Sequence, residues 1–299
     1  MPPLWAEIEA AIRAAAGESF TLQRQQSVAG GDINSAYRLE GARGECWFVK
    51  LNLAHRLEMF IAEAAGLEAI AATKTVRVPR PLCYGEAGAQ AFLVLEALSL
   101  GGRGDPALLG EQLAAMHLAT ATQQDYGWFR DNTIGETPQL NNPDSDWINF
   151  YRQQRLGHQL KLAGQHGLPQ AALVAGERLK QQLATFFNGY RVRPSLLHGD
   201  LWSGNIGFTR EGEPVIFDPA TYYGDHETDL AMSELFGAQP SPFYSAYHAN
   251  FPLDSGYRYR KSLYHLYHLL NHFNMFGGGY GQQAYATMQR LLALVSPLR

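Results

Sequence analysis

Between Leu196 and Phe208 the chain reads LLHGDLWSGNIGF, with His198, Asp200 and Asn205 set among turn-forming glycines and flanked by apolar residues. Asp200 and Asn205 are five positions apart, so a tight loop can bring both polar tips into one cleft. Thirteen residues beyond Asn205, at the end of the apolar run PVIFDP, stands Asp218. An amide oxygen and a carboxylate brought together by a hairpin suit a hard cation such as Mg²⁺, which takes oxygen ligands and keeps phosphates as further partners. Asp200, outside that pair, is placed to accept a proton from an attacking hydroxyl.

This layout resembles that of the protein-kinase-like phosphotransferases, with a catalytic-loop Asp, a metal-binding Asn and a second metal-binding Asp after a short hairpin. It implies ATP as phosphoryl donor with Mg²⁺, and further parts upstream. Gly30 and Gly31, in VAGGDINSAYRL, form the glycine turn whose backbone N–H groups meet phosphate oxygens. Lys50 follows about twenty residues later in CWFVKL, where the strand period puts it on one face with Cys46 and Phe48. Its helix partner is Glu63, which sits among apolar neighbours in MFIAEAAGLEAI, whereas Glu58 and Glu68 have easier exits to solvent. The strand LVLEAL then offers backbone groups of Glu96 and Leu98 to the adenine edge.

The elements that must position these groups divide into two parts. From Phe20 to about Leu100 short strand-like runs surround one helical stretch, HRLEMFIAEAAGLEAIAATK, in which Met59, Phe60, Ala64, Leu67 and Ile70 recur at helical spacing. A leading amphipathic helix carries Leu4, Trp5, Ile8 and Ile12 on one face, stops at Gly17, and lacks the basic start of a signal peptide. LSLGGRGDP breaks the pattern, and the chain beyond it is mostly helical apart from the catalytic loop and a hairpin turning at Glu211–Gly212. The reading is an α+β, bilobal, protein-kinase-like fold. Residues 1–97 form a small antiparallel-sheet lobe that binds nucleotide, and residues 98–299 a larger helical lobe with the catalytic loop and substrate cleft.

Composition agrees with a globular enzyme: 46% hydrophobic and 17% charged residues over 299 positions, with a net charge of −4. That charge gives no basic footprint for nucleic acid, and no apolar run approaches the ~20 residues of a membrane span. Two cysteines, Cys46 and Cys83, are too few for a disulfide framework and read as reduced thiols, which makes the cytoplasm the expected compartment.

Departures from the protein kinases narrow the class. The loop has His-Gly-Asp rather than His-Arg-Asp, Trp202 stands where a lysine is expected, and Asp218 is followed by Pro-Ala. These features suit small-molecule kinases similar to the aminoglycoside and choline phosphotransferases. HGDLWSGN, FDPATYYGDHETDLAM and YHLYHLLNHFNMFGGGY, together with GGDINSAYRL, FVK, MFIAEAAGL and LVLEAL upstream, resemble the fructosamine kinase (ketosamine-3-kinase) family over nearly the whole chain. The resemblance implies ATP-dependent phosphorylation of the third-carbon hydroxyl of a ketosamine, a deglycation step on free amino acids or protein lysines. Some relatives carry a cysteine in the glycine loop, where this chain has Asp32, so no thiol switch is carried over.

A ketosamine presents hydroxyls and a cationic amine. Trp202 offers an aromatic face, Asp225 a carboxylate for the amine, and His272, polar among aromatics, a group that can close the cleft. Asp229 reads as a helix cap or a brace for the catalytic loop. The alternatives are a related kinase for an aminoglycoside or other amino-sugar, and an inactive nucleotide-binding scaffold of the same fold.

Overall fold

The computed structural model describes residues 3–17, 20–29, 33–119 and 123–295. In chain order, helix α1 (Pro3–Ala16) leads to strands β1 (Leu22–Val28), β2 (Ser35–Gly41) and β3 (Cys46–Leu53), helix α2 (Leu57–Ala72), and strands β4 (Pro81–Ala87) and β5 (Gln90–Glu96). Next come α3 (Pro106–Leu118), the short strands β6 (Asn132–Ile134) and β7 (Thr137–Gln139), and α4 (Trp147–Phe150). Helix α4 runs through a π-helical stretch, Tyr151–Gly157, into α5 (His158–Gln165), and α6 (Gln170–Gln182) follows. Strands β8 (Pro194–Leu197), β9 (Ile206–Phe208), β10 (Pro214–Ile216) and β11 (Tyr222–Asp225) precede α7 (Glu227–Leu235), α8 (Ser241–Asn250), α9 (Tyr257–Phe276) and α10 (Tyr280–Val295).

Two compact units result, one of Met1–Asp105 with Ile206–Pro219, the other of Pro106–Asn205 with Ala220–Arg299. The first is built on an antiparallel sheet in the order β1-β2-β3-β5-β4. Period-two alternation along β3 sends Val49 and Leu51 into a core with Trp5, Ile8 and Ile12 of α1, and sends Lys50 to the opposite face, toward α2. Phe60, Leu67 and Ile70 of α2 are fully buried, while Glu58 and Glu68 are exposed.

The sequence division after residue 97 differs from the observed one for a definite reason. Backbone hydrogen bonds from Gly101 and Gly102 N–H to Phe208 O, and from Arg210 N–H to Ser99 O, tie the glycine-rich stretch to the β9–β10 hairpin. Ile216 N–H donates to Arg77 O, which secures the hairpin's other strand, so both pieces belong to the first unit.

The second unit packs α3 on α8, α7 on α9, and α10 on both α6 and α9. The stretch from His198 to Asn205 leaves β8, which pairs antiparallel with β11 in the register Leu197↔Tyr222 to Pro194↔Asp225. A buried bidentate ion pair, Arg260 Nε and Nη2 to Glu227 at 2.7 and 2.8 Å, joins α9 to α7. Helices α8 and α10 and the strands β6, β7, β8 and β11 have no counterpart in the sequence reading. The strands are three or four residues long, too short for a periodic signal. Among the described residues no helix is long and apolar enough to cross a membrane.

Candidate active site

In the first unit three predicted residues meet. Lys50 Nζ donates to Glu63 Oε1 at 2.6 Å and to Asp218 Oδ1 at 2.7 Å. Lys50 and Glu63 are almost fully buried, and the Asp218 side chain keeps 46% of its surface. Burial by itself would lower the Lys50 ammonium, but Asp218 and Glu63 outweigh it and hold the group above its ordinary value, so it stays charged. An ammonium has three donors, and two carboxylates occupy two of them. The third is what a phosphate oxygen can take.

Asp218 lies just beyond β10 with φ of 59°, one of two non-glycine residues among the described ones in left-handed conformation. Asp is one of the few residue types that tolerates this region, and held strain of that kind concentrates where a side chain must be aimed. Its Oδ2 meets no donor among the described residues.

At the end of β5, the Glu96 carboxylate binds Arg77 at 2.5 Å and its N–H donates to Arg80 O. That donor is therefore spent on the sheet. The Leu98 N–H, one residue pair further, donates to no backbone carbonyl among the described residues. Gly30 and Gly31 lie outside the described residues.

In the second unit Asp200 and Asn205 come together as their spacing implies. Trp202 N–H donates to Asp200 O at 3.1 Å, and Asn205 N–H to Trp202 O at 3.0 Å, closing a 3₁₀ turn. The Asn205 amide then reaches back, Nδ2 donating to Asp200 O at 2.9 Å and to Oδ2 at 3.3 Å. With its N–H groups committed to Asp200, Asn205 keeps its Oδ1 for another partner, and among the described residues it has none. Trp202 stays 38% exposed on the outside of this turn.

The loop is gripped from behind by Asp229, which accepts from His198 N–H at 2.7 Å, Gly199 N–H at 2.8 Å and His117 Nε2 at 3.1 Å. Burial pushes this carboxyl up, yet His117, His198 and the Gly199 N–H prevail and hold it below the usual carboxylate range. Of the two roles weighed for Asp229, bracing the loop is the observed one. Gly199 has φ of 84°, and a Cβ there would fall 2.1 Å from Ala220 O, which explains why glycine stands where protein kinases have arginine.

Asp225 requires a correction. It is fully buried, Oδ1 accepting from Tyr190 O–H and Glu227 N–H and Oδ2 from Tyr264 O–H at 2.5 Å, so it faces the core and not a ligand. The sequence reading offered Asp225 as a carboxylate for the substrate amine; pairing of β11 with β8 turns it inward instead. His272 is half-buried against Phe236, Phe276 and Tyr280. Its Nδ1–H donates to His268 O, which leaves Nε2 as an acceptor, and burial lowers its pKa so that it is neutral near pH 7. His117, on the apolar face of α3, was not singled out from sequence, since a lone His in an amphipathic helix gives no signal.

A five-stranded antiparallel sheet with a lysine–glutamate pair, and a helical unit carrying the Asp200–Asn205 loop, define the chain as a kinase of the protein-kinase-like class. An aminoglycoside phosphotransferase shares this fold at a TM-score of 0.64 and 14% identity, covering 97% of this chain and all of that one. The chain belongs to the fructosamine kinase family, whose model matches residues 4–294. It is 48% identical to a probable ketoamine kinase of Synechocystis sp. over 98% of each chain. It is 44% identical to a chloroplastic protein-ribulosamine 3-kinase of Arabidopsis thaliana over 93% of this chain and 86% of the relative. A solved structure assigned as a fructosamine-3-kinase, from Haemophilus somnus 129PT, superposes with a TM-score of 0.89 at 28% identity, covering 97% and 98% of the two chains.

Proposed function

We propose that the chain is an ATP-dependent ketosamine 3-kinase, phosphorylating the third-carbon hydroxyl of ribulosamine- or fructosamine-type adducts. The observation that carries the reading is the convergence of Glu63 and Asp218 on the Lys50 ammonium in a chain 44% identical to a protein-ribulosamine 3-kinase.

Lys50, held by Glu63, directs its remaining N–H to the donor's phosphates. Leu98 N–H and the backbone of Glu96 meet the adenine edge. Asp218 Oδ2 and Asn205 Oδ1 are hard oxygens with no partner among the described residues, and each is chemically suited to a magnesium ion. Further ligands of such an ion would be oxygens of the nucleotide phosphates. When bound, Mg²⁺ neutralises charge on the β- and γ-phosphates. Asp200, oriented by Asn205, aligns the sugar hydroxyl with the γ-phosphorus and takes its proton as the new P–O bond forms and the bond from the γ-phosphorus to the departing ADP breaks. Positioning and charge supply most of the acceleration in such reactions. On the acceptor side, Trp202 presents its face to the sugar and His272 Nε2 a hydrogen-bond acceptor.

ATP-dependent turnover of a ribulosamine, a fructosamine, the free sugars and an aminoglycoside tests this. Ketosamines are expected to have the highest kcat/KM. Equal values for ribulose and a ribulosamine, or preference for the aminoglycoside, overturn it.

A further inference from the structure

A second brace on the catalytic loop lies in the stretch Asn132–Asn141, which forms the β6–β7 hairpin and belongs wholly to the second unit. Three of its amides are buried: Asn132, Gln139 and Asn141. Gln139 Nε2 donates to Ala220 O at 3.0 Å and to Asn132 Oδ1 at 2.9 Å, while its Oε1 accepts from Tyr267 O–H at 2.6 Å. Asn132 Nδ2 donates to Thr221 O at 2.8 Å. Asn141 Nδ2 donates to Asn132 Oδ1 at 2.9 Å, and Asn141 Oδ1 accepts from Arg155 Nη2 at 2.7 Å.

Arg155 gives this chain of amides its direction. A guanidinium only donates, so Asn141 must present its oxygen to it and its nitrogen to Asn132. Asn132 must then turn its oxygen toward Asn141 and Gln139, and its nitrogen toward Thr221. The series ends as two donors on the carbonyls of Ala220 and Thr221. Arg155 is fully buried in the π-helical stretch, stacked 3.9 Å over Tyr222, and pairs with no carboxylate among the described residues. A buried cation without a counter-ion is costly, and its hydrogen bonds to Leu140 O and Asn141 are what offset that cost.

The Ala220 peptide is where this network reaches the chemistry. Its N–H donates to His198 O at 2.8 Å, and its carbonyl, held by Gln139, occupies the space that any side chain at position 199 would need. Asp200 follows directly. We propose that Gln139, oriented by Tyr267 and by the amide chain that Arg155 polarises, is a positioning residue that sets the catalytic loop through the Ala220 peptide.

The inference rests on the kinase reading above, and its test separates the two. In the full chain, Gln139→Glu keeps the volume and the Tyr267 bond but puts an acceptor against Ala220 O. It should lower kcat for a ketosamine by about 10²-fold, as misplacement on the order of 1 Å does. The KM for MgATP should stay within twofold of wild type. Arg155→Met should act in the same direction, and Arg155→Lys should recover most of the loss because it restores a donor-only cation. Hydrogen exchange of the segment 198–205 should quicken in Gln139→Glu and Arg155→Met and return in Arg155→Lys. Wild-type kcat and exchange in Gln139→Glu overturn the proposal, as does an Arg155→Lys enzyme no better than Arg155→Met. If the wild-type chain phosphorylates no ketosamine, the functional reading fails, and exchange alone then decides the role of Gln139.

Discussion

Lys50 Nζ and Asp218 Oδ1 lie 2.7 Å apart although 168 positions separate them in the chain. The contact exists because the β9–β10 hairpin folds with the sheet unit, and because Asp218 takes a left-handed backbone that turns its carboxylate back toward β3. Glu63 meets the same ammonium from α2. One buried cation is thus shared by a buried carboxylate and a more exposed one.

The roles proposed for Asp200 and Asp218 should separate by their effect on nucleotide. Asp200→Asn keeps the side-chain size but removes the base, so MgATP affinity should survive while kcat falls by roughly 10²–10⁴-fold. Asp218→Asn should weaken MgATP binding as well, and chelation of Mg²⁺ should reproduce that loss in the wild type. Calorimetry and steady-state kinetics check both; equal loss of MgATP affinity in the two variants would contradict the assignment.

Lys50→Met leaves Glu63 facing Asp218 without a cation between them. Breaking a buried ion pair by removing one partner costs about 3–5 kcal/mol, so this variant should melt at lower temperature as well as lose kcat/KM for ATP. Glu63→Gln, which can still accept from Lys50, should lose less of both. Thermal melts alongside ATP titrations read the comparison.

Gly199→Ala should be far worse than a surface substitution. Its φ of 84° is strained for alanine, and the new Cβ would strike Ala220 O. Left-handed strain costs of order 1–3 kcal/mol before the clash is counted. Ketosamine turnover should fall below detection while nucleotide binding, proposed to rest on Lys50 and Glu63, persists. A Gly199→Ala enzyme with near wild-type kcat would show that the loop tolerates a shift.

Stability should fall on the acid side. Burial, then the neighbouring His272 and His265, lowers His268 to about 3, and burial with His117 and Arg260 lowers His226 well below its ordinary value. Both are neutral in the folded chain where the unfolded chain begins to take up protons, near pH 6.5. The unfolded state binds more protons below that point, so stability drops as pH falls from about 6.5 toward the folded values. Urea midpoints at pH 7, 6 and 5 should decline in order. In His268→Phe, which removes one of the two groups, the decline should be shallower.

Much of the site was legible from residue type and spacing because short-range rules govern it. A hairpin of fixed length carries Asn205 at its entrance and leads to Asp218 past its exit, strand alternation sets Lys50 opposite Val49, and helical periodicity sorts Glu63 from Glu58 and Glu68. These relations depend only on backbone geometry over a few residues, and the sequence by itself determined them. Which way Asp225 faces, what Gly199 packs against and what Gln139 holds depend on strands and helices far apart in the chain. A buried amide or carboxylate carries no mark of its partner in the sequence. Only when packing has removed water must each such group find a protein partner, and tertiary structure alone decides which one.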